Sequence, residues 1–386
     1  MDLNEATNGT VAIACNRTLD LGECIESFVN TTINSSSSKL SFVDPEAATT
    51  FGFWLNGVGI TLIGLMGIFG NIASIRVLSH KQMRSSVNFI LIALASSDLV
   101  VIITSILIFG WTTVYPYNGH WGNYFFVYFP HMCLALFPLA IIAQTVSIFM
   151  TFLISLERFI AVCHPLKARS LCTQARTKIS IFAVALLSII YNFPKFFEVT
   201  LVERPDSDYG TIYFVSASWL RRNPLYIKIY IHWMYFIIMN SIPLLGITFF
   251  NLMIYRQVQK VNRSRMKLTS KELQDIKLTT MLFCVVAVFL SCNFLAVVTN
   301  ILETYNIHND RLTKISNFAV TLNSSVNFII YVVLVRKFRT IFIRQFKAFF
   351  RLQDDKGRLK ARYIKQTMSR TMSSSDSETV TTNETA

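Results

Sequence analysis

The sequence predicts an all-α membrane protein, a bundle of seven transmembrane helices followed by an amphipathic helix at the membrane interface. Three observations carry that expectation. The 386 residues are 52% hydrophobic and only 15% charged, against about 25% charged in a soluble domain. Seven apolar runs approach or exceed the length, about 20 residues, that crosses a hydrocarbon core. Finally, 26 of the 36 lysines and arginines fall in alternate connecting segments and the tail.

The runs are Phe51–Ile75, Val87–Phe109, Met132–Val162, Ile179–Pro194, Ile229–Tyr255, Leu278–Leu302 and Ile315–Val335. With no water in the bilayer, backbone groups must be satisfied inside each segment or around a closed barrel. Barrel strands need about 10 alternating residues. These runs are longer and do not alternate, so they read as helices. The expected organisation is an N-terminal segment 1–50, a bundle 51–335, an interfacial helix 336–350 and a tail 351–386.

Orientation follows from the basic residues. Cytoplasmic loops carry the Lys/Arg excess, which puts the N-terminus outside and the C-terminus inside a plasma membrane crossed several times. The net charge of +14 is then a charge for anionic inner-leaflet lipid, and nucleic acid is not an expected partner. Met1 to Asp44 is too polar for a cleavable signal sequence. Sequons at Asn8, Asn16, Asn30 and Asn34 predict an extracellular glycosylated segment. Those at Asn262 and Asn383 fall on the inner side and are expected to stay unmodified. The segment 335–350, VRKFRTIFIRQFKAFF, mixes bases with Phe and Ile, as a helix lying on a membrane does. The tail 368–386 is Ser/Thr-rich and acidic, a composition of disorder and of phosphorylation.

Ionisable residues deep in a membrane are costly and usually functional. Asp98 is the acid in the middle of a run, about 16 Å into its helix at 1.5 Å per residue. Asn71, Ser147, Asn323, Ser324 and Asn327 are polar at comparable depths. One carboxylate among neutral oxygens suits a small hard cation, or it is a polar cluster that holds the bundle together; the residues alone leave both open. Glu157 and Arg158 come about 37 Å along the helix from Cys133, so they stand at the opposite membrane face, where an arginine head reaches water or a partner.

Asn71, LALASSD in the second run and ERFIAVCHPL after the third together resemble the rhodopsin-like, class A G-protein-coupled receptors, over roughly residues 51–350. The segments MRSSVNFILIALASSDL (83–99), YNFPKFFE (191–198) and LRRNPLYIKIY (220–230) are most similar to the invertebrate FMRFamide-type neuropeptide receptors. The resemblance implies that Glu157, Arg158 and Phe159 form the Asp/Glu-Arg-Tyr motif and that Asp275 closes a resting-state clasp on Arg158. It also implies that Pro243 is the fifth-helix proline and that Asn327 and Tyr331 end the Asn-Pro-x-x-Tyr motif. Asp98, Ser147, Asn323, Ser324 and Asn327 match the family's allosteric sodium site. Implied partners are an extracellular peptide, a heterotrimeric G protein, membrane lipid, and arrestin and receptor kinases acting on the tail.

This sequence departs from the pattern at Phe328, where that motif has proline. Asn293 and Leu295 stand where the sixth helix has Trp and Pro. The fourth helix lacks its usual Trp, and Asn251 replaces a fifth-helix Tyr. The family bridges a cysteine like Cys133 to the second outer loop. Here Lys195–Pro224 has none, leaving Cys15 and Cys24 as outer partners, either with each other or with Cys133.

The expected function is a plasma-membrane receptor for an amidated peptide, with a receptor for another ligand as the alternative and a channel or transporter a distant third. No inverted repeat or charged path supports transport. The seventh run has no lysine for retinal. Ala140, Ile141 and Gln144 give the third run no acid for an amine, and no paired acids or His/Ser group suggest an enzyme. An Arg-Phe-amide ligand needs a carboxylate for its guanidinium; Glu198 and Glu303, at helix ends, are the expected pair, ahead of Glu203, Asp206 and Asp208. Tyr226, Tyr230, Trp233 and Phe197 are the expected aromatic wall, with Gln144 and Asn317 as further ligand contacts.

Overall fold

The structure, a computed structural model, describes residues 48–264, 270–304 and 309–348. Among the described residues six helices are long and apolar enough to cross a membrane: α1 (Thr50–Leu78), α2 (Ser86–Thr113), α3 (Tyr124–Cys163), α4 (Gln174–Phe197), α5 (Pro224–Lys260) and α7 (Asp310–Leu334). Between the last two, α6 (Ser270–Thr304) holds a shorter apolar stretch, Phe283–Thr299. The glycosylation sites, Cys15, Cys24 and the tail 351–386 lie outside the described residues.

The helix starts are chemically marked. Ser85 Oγ accepts from the Asn88 amide, and Asn309 Oδ1 accepts from the Leu312 amide at 3.1 Å. Asn223 Oδ1 accepts from Leu225 at 2.9 Å, ahead of Pro224 in the first turn. Each satisfies a donor that the helix leaves orphaned. Helix α3 starts eight residues before its apolar run, because the aromatic stretch from Tyr124 to Phe129 continues it.

Several helices are wound wider than α over part of their length, at Phe53–Ile60, Ile106–Gly110, Tyr124–Tyr128, Ile227–Met234 and Phe236–Ser241. The last precedes Pro243, which has no amide hydrogen to donate. There the Ser241 hydroxyl donates to the Phe236 carbonyl at 3.1 Å.

The segment that reads as a second outer loop contains an antiparallel hairpin, β1 (Val199–Asp206) and β2 (Gly210–Ala217), in register from Val199 opposite Ala217 to Asp206 opposite Gly210. Asp206 Oδ1 accepts from the Asp208 and Tyr209 amides at 2.9 and 3.0 Å, and Gly210 takes φ +76°. An Asx turn closed by a left-handed glycine is a hairpin signal. The hairpin packs on α3: Val199 and Val215 join Phe129, Cys133, Phe137 and Ile141, while Ile212 and Phe214 join Phe125 and Phe126. Tyr115, just before α3, packs against the second group. Burial, with the nearby Tyr209, pushes its phenol up to about 12.

Small residues let α1 approach its neighbours. A Cβ at Gly67 would stand 2.3 Å from Ser325 Oγ, and one at Gly70 would stand 2.8 Å from Phe328 Cβ. Phe328, in the place of the expected proline, therefore sits on the glycine face of α1, and its ring lies 6.2 Å edge-on to Phe69.

The chain divides into two units, 1–335 and 336–386. The described part of the second is helical over 336–348, called α8, with Phe342 and Phe346 rings 5.8 Å apart along one side.

Candidate functional site

At the centre of the bundle Asp98 is fully buried. Ser147 Oγ–H donates to its Oδ1 at 2.7 Å, and Asn327 Nδ2 donates to its Oδ2 at 2.8 Å, so α2, α3 and α7 meet on one carboxylate. Ser324 lies beside the same carboxylate. Asn323 is not in a hydrogen bond with it among the described residues. One turn away Asn71 Nδ2 donates to Gly67 O at 3.0 Å and to Ser324 O at 2.9 Å, tying α1 to α7. Asn71 Oδ1 and Ser74 Oγ are buried with no hydrogen-bond partner among the described residues. A carboxylate, hydroxyls and a spare amide oxygen are the ligand set of a hard cation, so the residues present fit a sodium ion.

Toward the hairpin the bundle holds a second polar group. Lys195 and Glu198 are each 3% exposed, and their charges lie 2.9 Å apart. Tyr226 O–H donates to Glu198 Oε1 at 2.7 Å, and Tyr230 O–H donates to the Tyr191 carbonyl at 2.7 Å. The Tyr226 and Tyr230 rings stack at 5.0 Å, and Lys195 Nζ stands 5.3 Å from the centre of the Tyr230 ring. Arg221 is buried beside them. A buried charge needs a partner, and each charge of this pair supplies the other's. The Glu198 expected at an open rim is thus an internal residue, already neutralised by a lysine that the sequence reading passed over. The signal was present: Lys195 is a lone cation in the apolar stretch FPKFF.

The other expected ligand residues separate. Tyr226 and Tyr230 belong to this cluster. Trp233 is 57% exposed and shares a stripe with Ile229 and Ile237 at four-residue spacing, the outward face of α5. That face meets lipid in a membrane, so Trp233 is not part of an inner aromatic wall. Phe197 is exposed as well, 5.5 Å from Phe193. Gln144 and Asn317 are buried in α3 and α7. Glu303 lies in the last turn of α6, and its side chain is outside the described residues.

At the far end of α3, Glu157 is buried and Arg158 half-buried. Phe159 stacks on Phe250 of α5 at 5.3 Å. Asn251, standing where a tyrosine was expected, donates to Ser155 Oγ at 3.3 Å and to the Ile247 carbonyl at 2.7 Å, joining α5 to α3 one turn above Arg158. Asp275 lies on α6, with its side chain outside the described residues. Tyr331 is 1% exposed. Asn293 Nδ2 donates to the Phe289 carbonyl of its own helix at 2.9 Å, and α6 runs 35 residues without interruption. Asn192 Nδ2 donates to Thr145 Oγ1 at 2.9 Å, a polar link between α4 and α3 where the sequence showed only a missing tryptophan.

Cys133 is a free thiol, fully buried among Phe129, Phe137, Val199 and Val215. The second outer loop offers it no cysteine, as the sequence showed, and the alternative partners Cys15 and Cys24 lie outside the described residues.

An apolar helix bundle around a central carboxylate, Asp98, with Glu-Arg at the end of its third helix, defines a seven-helix membrane receptor as a class. The chain belongs to the rhodopsin family of seven-transmembrane receptors, whose description, 7 transmembrane receptor (rhodopsin family), matches residues 70–331. It is a family of receptors and not of enzymes. The chain is 49% identical to the FMRFamide receptor of Drosophila melanogaster over 293 residues, 75% of this chain and 53% of that one. It therefore spans about half the length of that relative. It is 31% identical to the probable G-protein coupled receptor frpr-1 of Caenorhabditis elegans, over 75% of this chain and 78% of the relative. The FMRFamide peptide receptor frpr-18 of Caenorhabditis elegans is also 31% identical, over 74% and 67%.

Proposed function

We propose that the protein is a plasma-membrane receptor for an amidated peptide of the FMRFamide type, with its N-terminus outside, and that it activates a heterotrimeric G protein. The carrying observation is the 49% identity with the FMRFamide receptor of Drosophila melanogaster. Supporting it are the basic residues gathered at the end of the bundle opposite the hairpin, and Glu157-Arg158-Phe159 at that end of α3.

In this reading the peptide enters at the hairpin end. It activates only as far as it binds the signalling arrangement more tightly than the resting one. Arg158 exchanges Asp275 for the G protein. A ligand guanidinium at Glu198 has to replace Lys195, which with Arg221 already stands beside that carboxylate. Glu303 is the second acid of the proposed pair, and Gln144 and Asn317 are further proposed ligand contacts. Asp98, Ser147, Asn323, Ser324 and Asn327 would hold a sodium ion, which would supply a positive charge beside the carboxylate in the resting state. Receptor kinases and arrestin act on the Ser/Thr-rich tail.

The test is a dose–response series. Cells expressing the receptor are exposed to a panel of amidated peptides, with calcium and cyclic nucleotide as readouts. An Arg-Phe-amide peptide is expected to act at lower concentration than its citrulline analogue, and Glu198→Gln or Glu303→Gln to reduce that preference at least tenfold. Silence toward every amidated peptide, at normal surface expression, overturns the reading.

A further inference from the structure

The turn that ends α4, Phe193–Phe197, is inverted with respect to its surroundings. Phe193, Phe196 and Phe197 are exposed, while the lysine among them is 3% exposed. A lysine at a helix end ordinarily lays its stem along apolar surface and keeps the ammonium in water. Lys195 does the reverse, so its hold lies inside the bundle.

That hold is a box of one carboxylate and several aromatic rings. Lys195 Nζ stands 2.9 Å from Glu198 Oε1 and donates to Oε2 at 3.2 Å, so a single ammonium spans both oxygens. The Tyr226 hydroxyl fixes Oε1 from the other side at 2.7 Å. The rings of Tyr191 and Tyr226 lie 5.5 and 5.0 Å from that of Tyr230, whose centre is 5.3 Å from the ammonium. Aromatic faces around a carboxylate are the chemistry that takes an organic cation. The two charged partners differ in freedom. The Glu198 carbonyl accepts from the Ser218 amide at 2.9 Å, which pins the acid where α4 passes into β1 and β2 returns. Lys195 reaches it on a flexible alkyl stem. The carboxylate is therefore a fixed acceptor and the ammonium a replaceable occupant.

We infer that this box is a subsite for an alkylammonium or guanidinium group, and that Lys195 is its tethered occupant, an internal competitor of the peptide's arginine. The inference rests on the reading of Glu198 as the acid that takes the ligand guanidinium, and adds what sets affinity and selectivity there. A guanidinium meets both carboxylate oxygens with parallel N–H donors, where an ammonium offers a point charge. An incoming arginine thus displaces the lysine, and a neutral side chain leaves it in place. Lys195 weakens every cationic ligand by the work of its own displacement, and it closes the box to ligands that bring no cation.

The test compares an Arg-Phe-amide peptide with its citrulline analogue in cells carrying the natural chain, Lys195→Gln or Glu198→Gln. Lys195→Gln is expected to raise the preference for arginine roughly tenfold or more, because the guanidinium then meets a carboxylate with no ammonium to expel. A lysine that only supports the fold would lower both potencies alike and leave their ratio unchanged. If Lys195→Gln does not reach the surface, Lys195→Arg decides: a tethered fork is expected to lower the preference, and an unchanged ratio overturns the inference. Glu198→Gln lowering the preference while Lys195→Gln leaves it unchanged overturns the inference and keeps the reading of Glu198. A ratio moved by neither variant places the guanidinium elsewhere and overturns both. A second measurement needs no peptide. Purified Lys195→Ala is heated in propylammonium chloride and in sodium chloride at equal concentration, propylammonium matching the atoms removed. It is expected to raise the melting temperature of this variant and not that of the natural chain. Equal melting in the two salts overturns the cation subsite.

Discussion

Lys195 and Glu198 show what a single residue can change. Glu198 alone would be a costly buried carboxylate, and Lys195 alone a costly buried ammonium; at 2.9 Å they cancel. Breaking a buried pair by removing one partner typically costs about 3–5 kcal/mol, whereas replacing both with apolar groups is often near neutral. Lys195→Met and Glu198→Leu singly are therefore expected to lower the melting temperature of the purified receptor, and the two together to recover most of the loss. Additive losses would mean that the pair is not coupled. Asp98 is held by Ser147 and Asn327 from two other helices. Raising sodium is expected to weaken agonist binding to the natural receptor, and Asp98→Asn to abolish that dependence. Radioligand competition in sodium and in a bulky organic cation measures both.

Among the elements, α1 and α7 depend on a residue pair that the family pattern does not contain. Phe328 packs where a proline was expected, and Gly70 leaves it room. A methyl group at Gly70 would overpack that contact by about 1–3 kcal/mol. Gly70→Ala should lower surface expression and thermal stability, and Phe328→Ala in the same chain, which keeps the Cβ at 2.8 Å, should restore little of either. A neutral Gly70→Ala would show that α7 is free to move aside. The hairpin makes the complementary case. It is fastened to α3 by the apolar contacts of Val199 and Val215 around a free, buried Cys133. Cys133→Ala is accordingly expected to leave surface expression and agonist potency within about threefold of the natural receptor, a deleted thiol being a small cavity change. Loss of expression would mean that Cys133 is bridged in the cell.

At the scale of the whole molecule, function requires that events at the hairpin end change the Arg158 end. Helix α6 has neither the tryptophan nor the proline expected of it and runs uninterrupted, with Asn293 bonded to its own helix. A helix without a proline kink moves as one piece, so the restraint at its basic end has the larger effect. Asp275→Ala should raise basal signalling, read as cyclic nucleotide or calcium without agonist at matched surface expression. Unchanged basal activity would show that Asp275 does not restrain α6.

The sequence by itself determined the class of molecule. Long uncharged runs can only be helices in a bilayer, because the backbone must satisfy itself there. Asp98 stood out because a carboxylate in an apolar run is too costly to be accidental, and Ser147 and Asn327 were readable as its companions from depth alone. Only the tertiary structure decided which polar groups face inward and what each one meets. Glu198 looked like a rim acid, because sequence spacing does not tell that Lys195, three residues earlier, folds onto it. Trp233 looked like a cavity wall, because one turn of α5 exchanges its inner face for its lipid face. The hairpin read as loop although Asp206 and Gly210 carried its turn, since strand pairing is a contact between segments rather than a property of either. Helix formation in a membrane is local and so is written in composition. Partner choice among buried polar groups is settled by packing, where an ångström decides whether a charge is neutralised or left open.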